Sequence, residues 1–215
     1  MAPLREGVLF TGGSGPPAAC AEEVLRRADL VIAADAGWDL ARSMGANPKV
    51  ILGDMDSIRD PGILRELSPE RVLAFDVEKD ETDTEIGLRY LHEHGISEVT
   101  LIGGGGGRLD HLIGILALFD RETRPRRWLT ERDEVLSIEG RATLNGMLGK
   151  PCSFFPVGTD PCTMRTTGLR WPLDHLRWTH GDVGISNYGI HDTVTIEMLS
   201  GRLIMVRALA EVRSG

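Results

Sequence analysis

Five short apolar runs, each ending in a polar or glycine-rich turn and separated by helical stretches, constrain the fold more than any other feature of this chain. The runs lie at 7–11 (GVLFT), 30–35 (LVIAAD), 49–54 (KVILGD), 71–76 (RVLAFD) and 98–103 (EVTLIG). They are continuous and not alternating, as expected of strands covered on both faces. Helical stretches at 18–28, 37–44, 61–67, 84–94 and 110–119 follow them. Alternation of this kind predicts a doubly wound parallel sheet. The helix at 84–94 is expected to start after an Asp83 cap, with Glu85 in its first turn, and to stop at Gly95.

From Trp128 onward the pattern changes to short β-rich segments divided by Gly, Pro and Asn: 135–139, 152–155, 162–166, 183–186, 193–199 and 203–206. The last two alternate with a period of two around Ser200-Gly201, which predicts a hairpin. The fold class expected is therefore α/β plus all-β. An N-terminal doubly wound parallel sheet (1–124) would be followed by a C-terminal antiparallel β-sandwich (125–215), joined near 121–127, with a crevice between the two.

Charge follows the same division. The chain carries 24 Lys+Arg and 32 Asp+Glu, net −8. Residues 1–124 hold 13 basic and 22 acidic side chains, whereas 125–215 hold 11 and 10. A carboxylate surplus repels a nucleic-acid backbone, so no nucleic-acid partner is expected. Three cysteines without CxxC spacing fit neither a disulfide framework nor a zinc site. No run of 18 apolar residues exists and the opening MAPLREGVLFTGG has no leader pattern. The expectation is a cytoplasmic protein without a membrane partner.

In an open parallel sheet, ligands bind beyond the carboxyl ends of the strands. The five runs end there in Thr11-Gly12-Gly13-Ser14-Gly15, Asp35-Ala36-Gly37, Gly53-Asp54-Met55-Asp56-Ser57, Asp76 leading to Lys79-Asp80-Glu81-Thr82-Asp83, and five glycines at 103–107 before Arg108-Leu109-Asp110-His111. Asp54 and Asp56 in an Asp-x-Asp turn offer hard oxygens to Mg²⁺, or else an Asx-turn and a helix cap. Asp83 is a third ligand, the cap, or both, with one oxygen on a backbone N–H and the other on the metal. The glycine run before Arg108 suits phosphate, since backbone amides can approach it and guanidinium binds it in a bidentate way; a flexible turn explains the glycines equally. It is neither a Walker A motif nor a GxGxxG fingerprint, and His92-Glu93-His94 is not a zinc HExxH. His111 is a ligand contact or a structural histidine. Trp171, beside Pro172, is a core or hinge residue or a stacking plate, and Ser186-Asn187 is a turn or a ligand contact.

The ordered set Ala34-Asp35-Ala36-Gly37, Gly53-Asp54-Met55-Asp56-Ser57, Lys79-Asp80-Glu81-Thr82-Asp83, Gly106-Gly107-Arg108-Leu109-Asp110-His111, Thr167-Gly168-Leu169-Arg170-Trp171 and Ser186-Asn187 resembles the thiamine diphosphokinase (thiamin pyrophosphokinase) family, over about 33–206. The resemblance implies Mg²⁺-dependent transfer of diphosphate from ATP to the hydroxyl of thiamine, giving thiamine diphosphate and AMP, in a homodimer with sites at the subunit interface. It implies Asp54, Asp56 and Asp83 as metal ligands, with Arg108 and Asp110 beside them in catalysis. Asp35, Ser57, Lys79, Asp80, Thr82, Arg108 and His111 would face ATP, and Trp171, Ser186 and Asn187 would receive thiamine. The chain departs from the family at Asp35-Ala36-Gly37-Trp38-Asp39, where the family carries Asp-Gly-Gly-Ala-Asn. Two other readings stand beside this one: a diphosphokinase for another heterocyclic alcohol such as a hydroxymethyl pterin, and a non-catalytic nucleotide- or thiamine-sensing module.

Overall fold

The computed structural model describes residues 4–209, so the first three residues of the opening MAPLREGVLFTGG lie outside it. The described chain divides into two compact units. One runs through Leu118 and includes Thr123–Arg132 and Leu209; the other comprises Phe119–Glu122 and Asp133–Ala208.

The first unit holds six parallel strands: β1 (Glu6–Phe10), β2 (Leu30–Ala34), β3 (Val50–Gly53), β4 (Val72–Ala74), β5 (Glu98–Ile102) and β6 (Arg127–Leu129). Their spatial order is β6-β5-β1-β2-β3-β4. The chain works outward from β1 to β4 and then returns to the far side of β1, so the winding reverses between β1 and β5. Such a reversal opens a crevice at the carboxyl ends of the two strands. The loops there meet in two hydrogen bonds, Ser14 N to Gly105 O (2.7 Å) and Gly105 N to Ser14 O (2.9 Å).

Both faces of this sheet are covered, as the continuous apolar runs require. Val8, Phe10, Ala33 and Ile51 pack with Ala21 and Val24 of α1 (Ala18–Arg27) and Trp38 and Ala41 of α2 (Gly37–Ser43). On the other face, α3 (Asp83–Glu93) lies so close to β1 that a Cβ on Gly87 would strike the Leu9 side chain. The fourth helix is α4 (Leu109–Ala117).

Two local expectations are corrected. The stretch 61–67 is a single 3-10 turn, Pro61–Arg65, with no buried residue. Without an apolar face to bury, nothing lengthens it, and Asp60 closes it by accepting from Gly62 N at 2.9 Å. The cap of α3 is Thr82 and not Asp83. Thr82 has extended backbone angles, its hydroxyl accepts from Glu85 N, and the Glu85 carboxylate accepts from Thr82 N at 2.7 Å, forming a complete capping box. Asp83, the first helical residue, is thereby released from capping.

The second unit is a β-sandwich. Its antiparallel sheets are β11-β9-β13-β7 (Gly184–Tyr188, Pro151–Val157, Arg202–Ala208, Asp133–Ile138) and β10-β12-β8 (Thr163–Thr167, Val194–Ser200, Arg141–Leu144). The core between them draws Ile138, Phe154, Leu203 and Met205 from one sheet and Met164, Val194 and Ile196 from the other. The expected hairpin at Ser200-Gly201 is therefore not a sheet hairpin. β12 pairs with β10 and β8, while β13 pairs with β7 and β9. β12 alternates and presents one apolar face to the core, whereas β13 is buried on both faces over Leu203–Met205, and the turn carries the chain from one sheet to the other.

Candidate functional site

Three carboxylates converge at the carboxyl edge of the parallel sheet. Asp35 follows β2, Asp54 follows β3, and Asp83 opens α3 after β4; each offers an oxygen within 4.8 Å of the others. Gly53 sits beneath them. A Cβ there would lie 3.1 Å from Asp83 Cγ and 3.2 Å from Asp35 Cβ, and its φ of 135° is one that side chains resist. The glycine thus keeps open the space in which the acids meet.

Backbone strain marks the same segments. Asp35 (φ 45°), Met55 (φ 63°) and Ser186 (φ 64°) are the non-glycine residues with positive φ among those described. Asp tolerates this region, whereas Met and Ser do not favour it, and such strain collects where geometry serves a ligand. The Met55 turn separates the two acids of the Asp-x-Asp motif. Asp54 points into the cluster, half-buried. Asp56 is exposed, and its carboxylate accepts from the Ser57 hydroxyl at 2.6 Å. Ser57 N donates to Asp35 Oδ1 at 3.3 Å, tying the β2 and β3 loops together.

Lys79 enters the acidic cluster from the loop after β4. Its Nζ lies 3.2 Å from Asp83 Oδ1 and 3.9 Å from Asp54 Oδ2, and it donates to Asp76 O at 2.9 Å. The Asp83 oxygen beside it is buried without a properly oriented hydrogen bond. Burial pushes the Asp83 carboxyl above its usual range; Lys79 pulls it down, and Asp54 and Asp35 push it up again. One lysine against three acids leaves the cluster short of positive charge. A buried, poorly satisfied carboxylate oxygen facing two further carboxylates fits a hard divalent cation with oxygen ligands.

Elsewhere on the site segments, Asp80 is exposed and Thr82 is engaged in the helix cap. Arg108 and Asp110 form an exposed bidentate pair, Nε to Oδ1 at 3.1 Å and Nη2 to Oδ2, at the start of α4. This pairing holds the Asp110 carboxyl below its usual range, and Asp110 Oδ1 also accepts from His111 N at 3.1 Å. His111 itself is exposed. In the sandwich, Trp171 is 55% exposed and stands edge-on to Tyr188, with ring centroids 5.5 Å apart. Asn187 is buried and Ser186 is exposed.

Position 38 departs from the family's loop without obstructing it. Trp38 is only 4% exposed and packs into the core, with the Arg71 guanidinium 6.0 Å from its ring. Ala36 takes ordinary right-handed helical angles, so no glycine is needed there. Two site features escaped the sequence reading. Asp35, expected only to face the nucleotide, is a full member of the carboxylate cluster, which sequence distance conceals. Glu131, just after β6, packs its carboxylate against Gly105 of the glycine run, with Oε2 buried and unpartnered. The signal for it was an acid at the end of a strand, missed because 127–129 was read with the β-rich half.

Fold and site together define a two-unit protein, a doubly wound parallel α/β unit with converging carboxylates at its strand ends followed by a β-sandwich. Residues 21–127 match the thiamin pyrophosphokinase catalytic domain, and 137–203 match the thiamin pyrophosphokinase vitamin B1 binding domain. The chain is 28% identical to a thiamine pyrophosphokinase of Bacillus subtilis over 186 residues, covering 83% of this chain and 87% of that protein. The crystal structure of thiamine pyrophosphokinase from Bacillus subtilis superposes with a TM-score of 0.75 at 24% identity, covering 96% of this chain and 100% of that one. Thiamin pyrophosphokinase from Geobacillus thermodenitrificans gives a TM-score of 0.72 at 25% identity, covering 95% and 98%. The chain belongs to the thiamin pyrophosphokinase family and is an enzyme of that type.

Proposed function

We propose that this chain carries out its family's ATP-dependent formation of thiamine diphosphate by moving the β,γ-diphosphate of ATP onto the thiamine hydroxyl, with AMP released. The new bond joins the hydroxyethyl oxygen to the β-phosphorus. The bond to the α,β-bridging oxygen breaks, and that oxygen leaves on AMP. The observation that carries this reading is the meeting of Asp35, Asp54 and Asp83 at the carboxyl edge of the parallel sheet. Phosphoryl transfer needs charge neutralisation and in-line placement more than it needs a covalent catalyst.

Asp35, Asp54 and Asp83 would hold Mg²⁺, with Asp56 offering a further carboxylate beside them. The ion supplies charge neutralisation to the phosphates when bound. Lys79, already among the acids, would also offer its ammonium to the phosphates. Ser57, Asp80, Thr82 and His111 line the nucleotide side. Arg108 binds phosphate oxygens through its guanidinium. Leaving Asp110 for the phosphates also returns that carboxyl to its ordinary range, where it accepts the thiamine proton more readily. Trp171 is the plate for the cationic, aromatic thiamine, and Ser186 and Asn187 belong to the same wall.

The chain acts as a homodimer with sites at the subunit interface. Leu109, Ile113 and Leu116, exposed on α4 at helical spacing, support a covered face there. No helix among the described residues is long and apolar enough to cross a membrane, and the three cysteines are free, which supports a cytoplasmic location. Two domains are proposed, with the change from the first to the second falling near Arg132–Asp133 and not at 124–125, since Thr123–Arg132 belong to the first unit.

The deciding experiment incubates the protein with ATP, Mg²⁺ and thiamine and separates the products by chromatography. AMP and thiamine diphosphate in equal amounts are expected. AMP release only with a hydroxymethyl pterin overturns the choice of acceptor. Thiamine binding without turnover, unchanged in Asp54→Asn, marks a sensor.

A further inference from the structure

Asn187 is a polar side chain in a position that strand geometry alone would not bury. In β11 two successive exposed residues, Ile185 and Ser186, break the in–out alternation before Asn187 turns inward. The pairing register shows the cause. Gly184 faces Phe154 and Asn187 faces Cys152, so three steps on β11 match two on β9, a β-bulge. Ser186 absorbs it with its left-handed φ of 64°, and its N–H donates to Ser153 Oγ at 3.3 Å. The strain at Ser186 therefore has a structural product, the burial of the Asn187 amide at 4% exposure.

Both ends of that amide grip Trp171, and its Oδ1 also accepts from Tyr188 N at 2.9 Å. Trp171 N donates to Asn187 Oδ1 at 3.2 Å, and Asn187 Nδ2 donates to Trp171 O at 2.7 Å. The amide imitates a backbone partner and pins the peptide unit that carries the indole. The rest of the segment is zipped to the same strand end. Arg170 N donates to Tyr188 O at 2.9 Å, Ile190 N donates to Gly168 O at 2.7 Å, and the Tyr188 ring stands edge-on to the indole. An aromatic ring that is more than half exposed gains little from packing. Its orientation depends on its backbone, and here the Asn187 amide holds the peptide unit of Trp171 itself while strand bonds hold its neighbours.

We propose that Asn187 is a positioning residue: it holds Trp171 as a preformed stacking plate for the heteroaromatic ring of the acceptor substrate and does not touch that substrate itself. This rests on the reading of Trp171 as the thiamine plate and deepens it. Preorganisation of this kind strengthens binding by removing the need to order the plate when the ligand arrives.

A double-mutant cycle tests it, with wild type, Asn187→Ala, Trp171→Ala and the double variant assayed for kcat and for KM of thiamine and of ATP. Asn187→Ala is expected to raise KM for thiamine about tenfold with KM for ATP within about twofold, and to add less than about twofold in the Trp171→Ala background. Independent, multiplying effects overturn the proposal, because they mean Asn187 acts other than through Trp171. Parallel rises in both KM values overturn it as well, marking general damage to the fold. If Asn187→Ala does not fold, Asn187→Asp keeps the volume and the acceptor but loses the donor. Thiamine quenching of the exposed Trp171 fluorescence then reads the plate directly. Weaker quenching at equal thiamine supports the proposal, and unchanged quenching overturns it. An unaltered KM for thiamine in Trp171→Ala defeats the plate itself, whereas a failed cycle beside a raised KM in Trp171→Ala defeats only the role of Asn187.

Discussion

Replacing Asp83 by asparagine should make the metal-free protein more stable while removing its activity. Asp83 shares the cluster with two carboxylates whose oxygens lie within 4.8 Å, and with Lys79 at 3.2 Å. At an effective dielectric of about 20, each repulsion amounts to about 3.5 kcal/mol and the attraction to about 5 kcal/mol. Two repulsions outweigh one attraction by about 2 kcal/mol, and water at these partly exposed groups reduces this to about 1–2 kcal/mol. For a chain of this length that corresponds to a rise in Tm of roughly 2–8 °C. The pH dependence has a definite sign. Burial raises the folded-state pKa of Asp83 above its unfolded value, so the native state holds the extra proton in between. Stability from this group is present at low pH and is lost as pH climbs from about 4 through the raised folded value. Melting curves in EDTA, at acidic and neutral pH, measure both effects. The variant should gain at neutral pH, lose that gain in acid, and no longer respond to Mg²⁺. A lower Tm than wild type in EDTA at neutral pH would refute the charge argument.

Three further outcomes follow from the geometry. Gly37→Ala should cost at least about 1–3 kcal/mol of stability, as overpacking does, and lower Tm accordingly, since the added Cβ would overlap Phe10 O and lie 2.8 Å from Thr11 Cα; circular dichroism melts check it. Arg108→Ala should leave Tm unchanged, because its pair with Asp110 is exposed, yet reduce kcat/KM for ATP at least about tenfold; steady-state kinetics beside a melt separates the two. Cys152, whose thiol burial pushes up to about 11, should resist a disulfide reagent at pH 8 in the native protein and react once the chain is unfolded in guanidinium.

Much of the architecture was legible along the chain because its signals are local. Continuous apolar runs fall on strands β1 to β5, and the change of period near Trp128 precedes the sandwich. The strand β6 was not legible. It is three residues long and is recognisable only by its pairing with β5. Ser200-Gly201 carried a hairpin signature, but sheet membership is settled by which strands lie alongside, and the turn itself does not specify that.

Sequence by itself determined the class of site: which turns end in acids or glycines, and that these turns share one edge of a parallel sheet. Strand order and the alternation of strand and helix are enough for that. Only the tertiary structure decided which acids meet. Asp54 and Asp56 are two residues apart, yet the left-handed Met55 between them sends one into the cluster and the other toward Ser57. Asp35 and Asp83, distant in the chain, complete the group because β2, β3 and α3 end at the same place. The same holds for Asn187, whose burial under Trp171 depends on a bulge that no local pattern announces. Carboxylate convergence and amide pairing act over a few ångströms in space, and spacing along the chain does not fix that distance.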